Sequence, residues 1–336
     1  MSMVARFRYF AGLEQHPPST LLDLAVLAEQ AGFDGVACSD HFHPWTHTNA
    51  HAGFAWIWVA AAAERTKHVK VGTGVTAPLF RYHPAIVAQA FATLGVIYPN
   101  RIFLALGSGE PLNEIPLGYR WPSRRERIER LEEAIIVIKR LWAEQFVSFK
   151  GRYYSLRKAN LYTKPERPIP LHLAAHDSEV VELAGKYADC LLCQFASPEH
   201  CTGVVFPALE KGAKAAGRDP DRIEKAIHII VSYHEDYDSA LAACHHWAGV
   251  TLPVFYKYGV SDPREIELHG KMVAREELAK KWVISTDPEE HLRRIREYLK
   301  IGITNIQVHN ISPDERKFIK VYGEKVLPPL KEEFKE

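Results

Sequence analysis

VKVGTGV (69–75), HPAIVAQAFATLGVIY (83–98), RIFLALGSG (101–109) and RRERIERLEEAIIVIKRLW (124–142) decide the fold. Each short β-branched or apolar run precedes a longer segment whose apolar residues recur at spacings of three and four. That is the pattern of parallel strands joined by crossover helices. Upstream, FRYFAG (7–12) reads as a strand and PPSTLLDLAVLAEQAGF (17–33) as its helix, with Ser19 or Thr20 as N-cap and Gly32 ending it. GVACSD (35–40) reads as the next strand. Downstream, VSFKGRYYSL (147–156) reads as a hairpin, and PLHLAA (170–175), DCLLCQF (189–195), AIHIIVSY (226–233) and TNIQVHN (304–310) supply four further strands.

About eight such strands predict a closed (β/α)8 TIM barrel, one domain over 1–336 with insertion segments near 145–160 and 247–281. The second insertion, from Trp247 to Lys281, breaks the rhythm with proline, glycine and aromatics, and reads as a long loop over one mouth of the barrel. A doubly wound open sheet would carry a glycine-rich dinucleotide turn after its first strand, whereas that place reads AGLEQHPPS (11–19).

The 336 residues carry 42 basic and 41 acidic side chains, so no global field favours nucleic acid or an acidic membrane surface. No apolar run approaches the roughly 20 residues of a membrane span, and the start has no basic flank before a long apolar stretch. Five scattered cysteines fit reduced thiols, and together these features predict a cytoplasmic protein. Cys190 and Cys193 match CxxC, but within a strand they point to opposite faces, which disfavours a redox pair or a zinc knuckle.

In a TIM barrel the reactive groups follow the C-terminal ends of the strands. There the chain places Glu14, then Asp40, His41, His43 and Trp45, then Glu110 and Asn113, then His176 and Asp177. An imidazole facing a carboxylate can remove a hydroxyl proton while the neighbouring carbon gives up hydride, which makes His41 and Glu110 the candidate acid/base pair. The bland alternative has His41 capping a strand end and Glu110 binding a backbone amide. Trp45 can wall off water, while Trp56 and Trp58 read as core. His41, His43, His47 and His51 lack HExxH or any other standard ligand spacing, so no metal is expected. Walker and GxGxxG motifs are absent too, which calls for a hydride carrier other than a nicotinamide bound in the Rossmann manner.

SDHFHPW (39–45), TAPLFRYHPAIVAQAFATL (76–94) and GSGEPLNEI (107–115) resemble signature stretches of the coenzyme F420-dependent glucose-6-phosphate dehydrogenases and the related secondary-alcohol dehydrogenases. The likeness runs the whole length and implies a luciferase-like TIM barrel, usually dimeric, that transfers hydride from a CH–OH carbon to C5 of the deazaflavin. It implies His41 on the hydroxyl proton, Glu110 on the cofactor's ring nitrogen, and Trp45 and Glu14 beside the hydride path. It places Asp40, Ser108, Gly109, Asn113, Glu179 and Val180 at cofactor contacts, and Gly74–Val75 at a cis peptide under the ring. Departures fall at His176–Asp177, where the sugar-phosphate enzymes have a glycine pair, and at Ala77, where they have threonine.

The residues that grip phosphate in those enzymes correspond here to Gln194, Ser197, Lys257 and Lys281, which lack one cation and the arginine fork. NLYTKP (160–165), WAGVTLPVFYKYGVSDP (247–263) and FAWIWVAAA (54–62) look closer to the alcohol dehydrogenases. A small secondary alcohol is the first expected substrate and a sugar phosphate the second. FMN is the rival cofactor, and a flavin-binding barrel without catalysis is the rival class.

Overall fold

The computed structural model describes residues 4–335. Its strands are β1 (Arg6–Ala11), β2 (Gly35–Cys38), β3 (Lys70–Thr73), β4 (Ile102–Leu106), β5 (Val147–Lys150), β6 (Ser155–Ala159), β7 (Leu171–Ala175), β8 (Cys190–Gln194), β9 (Glu224–Tyr233), β10 (Val283–Ser285) and β11 (Asn305–Asn310). Eight of them run in parallel in the order β1, β2, β3, β4, β7, β8, β9, β11, and β11 pairs with β1 to close the ring. Closure excludes the open doubly wound sheet and matches all eight strands read from the sequence. β5 and β6 form the antiparallel hairpin.

Period-two alternation divides each strand between two environments. Phe7, Tyr9, Leu104, Leu106, Leu173, Val231 and Val308 face outward into the layer shared with the helices. Phe10, Ala37, Phe103 and Ala105 fill the barrel interior with Ala174, Cys190, Leu192 and Ala226. Gly72 shows how tightly: a Cβ there would lie 2.3 Å from the Phe103 carbonyl oxygen. Cys190 and Cys193 fall in different clusters, and all five cysteines are unpaired and buried.

Two expectations are corrected and one short strand is added. The first helix, Pro18–Gln30, starts without a side-chain cap on Ser19 or Thr20. Pro17 stands at the cap and Pro18 opens the first turn, where a fixed φ is already helical and a missing N–H costs nothing. Gly32, at φ +91°, follows the helix end as expected. The stretch from Trp247 to Lys281 is not a loop but a run of short helices, including Pro253–Tyr258, Pro263–Gly270 and Arg275–Lys281. Their proline and glycine residues punctuate helices instead of preventing them: Pro253 and Pro263 open first turns, and Gly259 takes the left-handed turn at φ +73°. Finally, β10, too short to stand out in the sequence, pairs with the far end of β9.

These helices bury a core of their own, with Trp247, Phe255, Ile266, Leu278 and Trp282, and into it project Trp45 and Leu112 from the loops after β2 and β4. The insertion is thereby packed onto the C-terminal face of the barrel.

Candidate active site

The C-terminal mouth opens into a cleft of about 440 Å³. His41, on the loop that leaves β2, stands between two carboxylates: its Nε2 lies 3.4 Å from Glu14 Oε1, and its Nδ1 lies 3.4 Å from Glu110 Oε2. Nδ1 is buried and has no hydrogen-bond partner. The Ser39 hydroxyl donates to Glu14 and itself accepts from the Leu13 amide, which fixes the loop after β1. Asn113 ties the other two loops together, its Oδ1 accepting from the Phe42 amide at 2.8 Å and its Nδ2 donating to Glu110 Oε2 at 3.3 Å.

Burial holds the Glu110 carboxyl above the usual carboxylate range, with His41 pulling it partly back. At the floor, burial pushes His228 down to about 3, and burial followed by the neighbouring His228 pushes His309 down as well. Both floor imidazoles are therefore neutral at pH 7. His309 Nε2 meets Gln15 Oε1 at 2.8 Å, and Gln15 Nε2 donates to the Asn310 carbonyl at 3.0 Å, anchoring the chain next to Glu14.

The walls differ in character. Gly74, Val75, Ala77, Gly107, Ser108 and Gly109 make one that is nearly free of side chains, and the Gly74–Val75 peptide is cis. Opposite stand Trp45, Trp247, Val250 and Tyr256, with Ile230 rising from β9. Trp45 lies 5.9 Å from the His41 ring and 5.6 Å from that of Tyr256.

Of the residues singled out in the sequence, Glu14, His41, Trp45, Gly74, Val75, Ala77, Ser108, Gly109, Glu110, Asn113, His176, Asp177, Val180 and Gln194 line this one cleft. Asp40 does not. It is buried behind the rim, where it accepts from Thr76, Arg81 and Tyr82, so its oxygens are already occupied. Glu179 is exposed and paired with Arg124. Ser197 caps a short turn through the His200 amide. Lys257 and Lys281 are exposed and are not among the residues that line the cleft. Lys257 is two residues past the buried Phe255, so helical geometry turns it about 200° away, toward water.

Sequence reasoning missed Phe10, His228, Ile230 and His309 because it looked past the strand ends, whereas these side chains point inward from within the strands. An imidazole at an inward position of a buried strand was the available signal. Trp247, Tyr256, Arg124 and Arg127 come from helices, where the sequence carries no comparable sign.

A family model described as luciferase-like monooxygenase matches residues 1–305. The chain is 42% identical over 335 residues to an F420-dependent glucose-6-phosphate dehydrogenase of Microbacterium testaceum, covering 99% of this chain and 100% of that one. It is 43% identical over 327 residues to the enzyme of the same name from Beutenbergia cavernae, covering 97% of each. Among solved structures, an F420-dependent secondary alcohol dehydrogenase in complex with an F420–acetone adduct superposes with a TM-score of 0.94 at 42% identity, covering 97% of this chain and 99% of that one. A coenzyme F420-dependent tetrahydromethanopterin reductase from Methanopyrus kandleri shares the fold at 23% identity and a TM-score of 0.81, covering 97% and 99%. A closed barrel with its polar groups gathered at the C-terminal mouth, matched over nearly its whole length, makes this chain a member of the luciferase-like monooxygenase family.

Proposed function

We propose that this protein is a coenzyme F420-dependent dehydrogenase that oxidises a small secondary alcohol to its ketone. The observation that carries the reading is His41 held between Glu14 and Glu110 against an aromatic wall, with Lys257 and Lys281 outside the cleft.

The residues present fit the cofactor. A flat ring needs a bare wall, and the glycine-rich side supplies one: a Cβ on Gly107 would come within 2.6 Å of Val75 Cγ2. His41, its Nδ1 without a hydrogen-bond partner, lines the same cleft. When bound, a 5-deazaflavin would supply, at C5, the acceptor for the hydride of the substrate's carbinol carbon. His41 takes the hydroxyl proton, and the Glu14 carboxylate stabilises the imidazolium that results. Glu110, its acidity lowered by burial, would hold the proton destined for the cofactor's ring nitrogen. Trp45, Trp247 and Tyr256 exclude water, and burial followed by the nearby Glu110 keeps the Tyr256 hydroxyl protonated.

A sugar phosphate is the second reading, favoured by the names of the curated relatives. The test is to supply F420 with isopropanol or with glucose 6-phosphate and follow the loss of deazaflavin absorbance. Reduction by isopropanol is expected, and reduction by the sugar phosphate alone reverses the order. Calorimetric titration with F420 and FMN separates the two cofactors.

The chain reads as one barrel domain that acts in the cytoplasm as a homodimer. Among the described residues no helix is long and apolar enough to cross a membrane. Phe54, Ile57, Ile86, Val96 and Ile97 form an exposed apolar face on the neighbouring helices Ala55–Arg65 and Pro84–Ile97, which a second copy would cover.

A further inference from the structure

Arg124 and Arg127 are the only lysine or arginine side chains lining the cleft among the described residues. They sit three residues apart at the start of the helix Arg124–Ala143, hence on one face of it. Arg124 is neutralised, its Nη2 on Asp177 at 2.7 Å and its Nη1 on Glu179 at 2.6 Å. Those carboxylates open the helix Ser178–Tyr187, so the Arg124 guanidinium lies at its start, and that start, a place that favours an anion, lines the same cleft as Arg127.

Arg127 is not neutralised. Its Nη1 donates to the Pro122 carbonyl at 2.8 Å and its guanidinium lies 4.3 Å over the Trp121 ring, but its Nε is buried without a partner and no carboxylate pairs with it among the described residues. Other partly buried arginines here are better served. Arg81 has Asp40, Arg101 makes four hydrogen bonds, and Arg218 reaches two carbonyls. A half-buried cation with one neutral acceptor is costly unless an anion joins it.

We infer that Arg127 binds the phosphodiester in the tail of F420, orienting the cofactor with its ring toward His41 and its tail toward the helix Ser178–Tyr187. The inference rests on the F420 reading above. The phosphodiester hangs from the ribityl chain of the deazaflavin and carries a negative charge at any pH of interest. The Arg124–Asp177–Glu179 cluster then holds the helix start in place without contributing net attraction.

The test is binding, read from deazaflavin fluorescence, of F420 and of the 5-deazaflavin ribityl compound that lacks phosphate and tail. Wild type should bind F420 about ten- to a hundredfold more tightly than the tailless compound, the range expected for a charge-assisted hydrogen bond. Arg127→Met should erase that difference while leaving the tailless affinity as it was. Equal weakening of both ligands, or of neither, overturns the assignment, as does a loss confined to glucose 6-phosphate binding. Wild type that binds neither deazaflavin overturns the F420 reading itself. Should the methionine variant not fold, Arg127→Gln keeps a polar head and is read by the same criteria.

Discussion

His41 meets carboxylates on both of its ring nitrogens, each at 3.4 Å, and its Nδ1 remains without a hydrogen-bond partner. Such a ring is positioned but uncommitted, which suits a group that must accept a proton from a substrate and pass it on. The two carboxylates are not equivalent: Glu14 is almost fully buried and bonded by Ser39, while Glu110 is reachable from the cleft and carries a raised pKa. Replacing His41 by alanine should therefore lower kcat with isopropanol by about 10²- to 10⁴-fold. The affinity for F420, measured by fluorescence titration, should change little, because the bare wall and the cleft beyond it are untouched. Unchanged turnover would instead favour a barrel that binds a flavin without using it.

One side chain makes three of the hydrogen bonds between the helical insertion and the loop after β2. Glu267, buried on the helix Pro263–Gly270, accepts from the amides of His47 and Thr48 at 2.8 Å each and from the Thr48 hydroxyl at 2.8 Å. Burial alone would raise its pKa, but the Thr48 amide, Lys271, the Thr48 hydroxyl and the His47 amide outweigh burial and bring it down to about 2. A depressed folded-state pKa contributes stability that is complete above the unfolded value, near 4.5, and is lost as pH falls through about 2. Glu267→Ala should destabilise the protein by about 3 kcal/mol or more at pH 7, read as a lower midpoint in urea. The gap to wild type should narrow as the pH drops from 4.5 toward 2. It should also slow turnover, since His41 and Trp45 lie on the loop it holds; a variant with wild-type kcat would sink that link.

At this scale the sequence is only partly readable. The barrel strands are legible because parallel strands buried on both faces leave dense β-branched runs such as AIHIIVSY (226–233), bounded by helical period. The insertion is not, because prolines at first-turn positions look the same as prolines in loops. His41, Glu110 and Trp45 are legible because strand ends collect polar groups. The retreat of Asp40 behind Arg81 and the outward turn of Lys257 depend on packing that no spacing records.

For the molecule as a whole, the ring of strands closes the barrel and, among the described residues, leaves sheet edges only at β10 and at the β5–β6 hairpin, so most of the surface offered for assembly is helical. Exposed large apolar side chains occur along the chain, and five of them lie on or next to the helices Ala55–Arg65 and Pro84–Ile97. Ile57 is 71% exposed and Ile97 57%, and with Phe54 and Ile86 they cluster on two adjacent helices instead of appearing singly. Neighbouring side chains link those helices: Trp56 packs against Phe91 at 6.0 Å, and the Tyr98 hydroxyl donates to Glu64 at 3.2 Å. The face is therefore a fixed surface, and leaving it in water forfeits the free energy of its burial. A second copy meeting it about a two-fold axis would bring Ile57 and Ile97 of both chains into one interface. Placing a glutamate at position 57 puts like charges on both sides of that interface, unsolvated and unpaired. Sedimentation equilibrium should show wild type at twice the chain mass and Ile57→Glu shifted toward the monomer, with its circular dichroism unchanged. A wild type that sediments as a single chain would mean that this apolar face serves no homodimer.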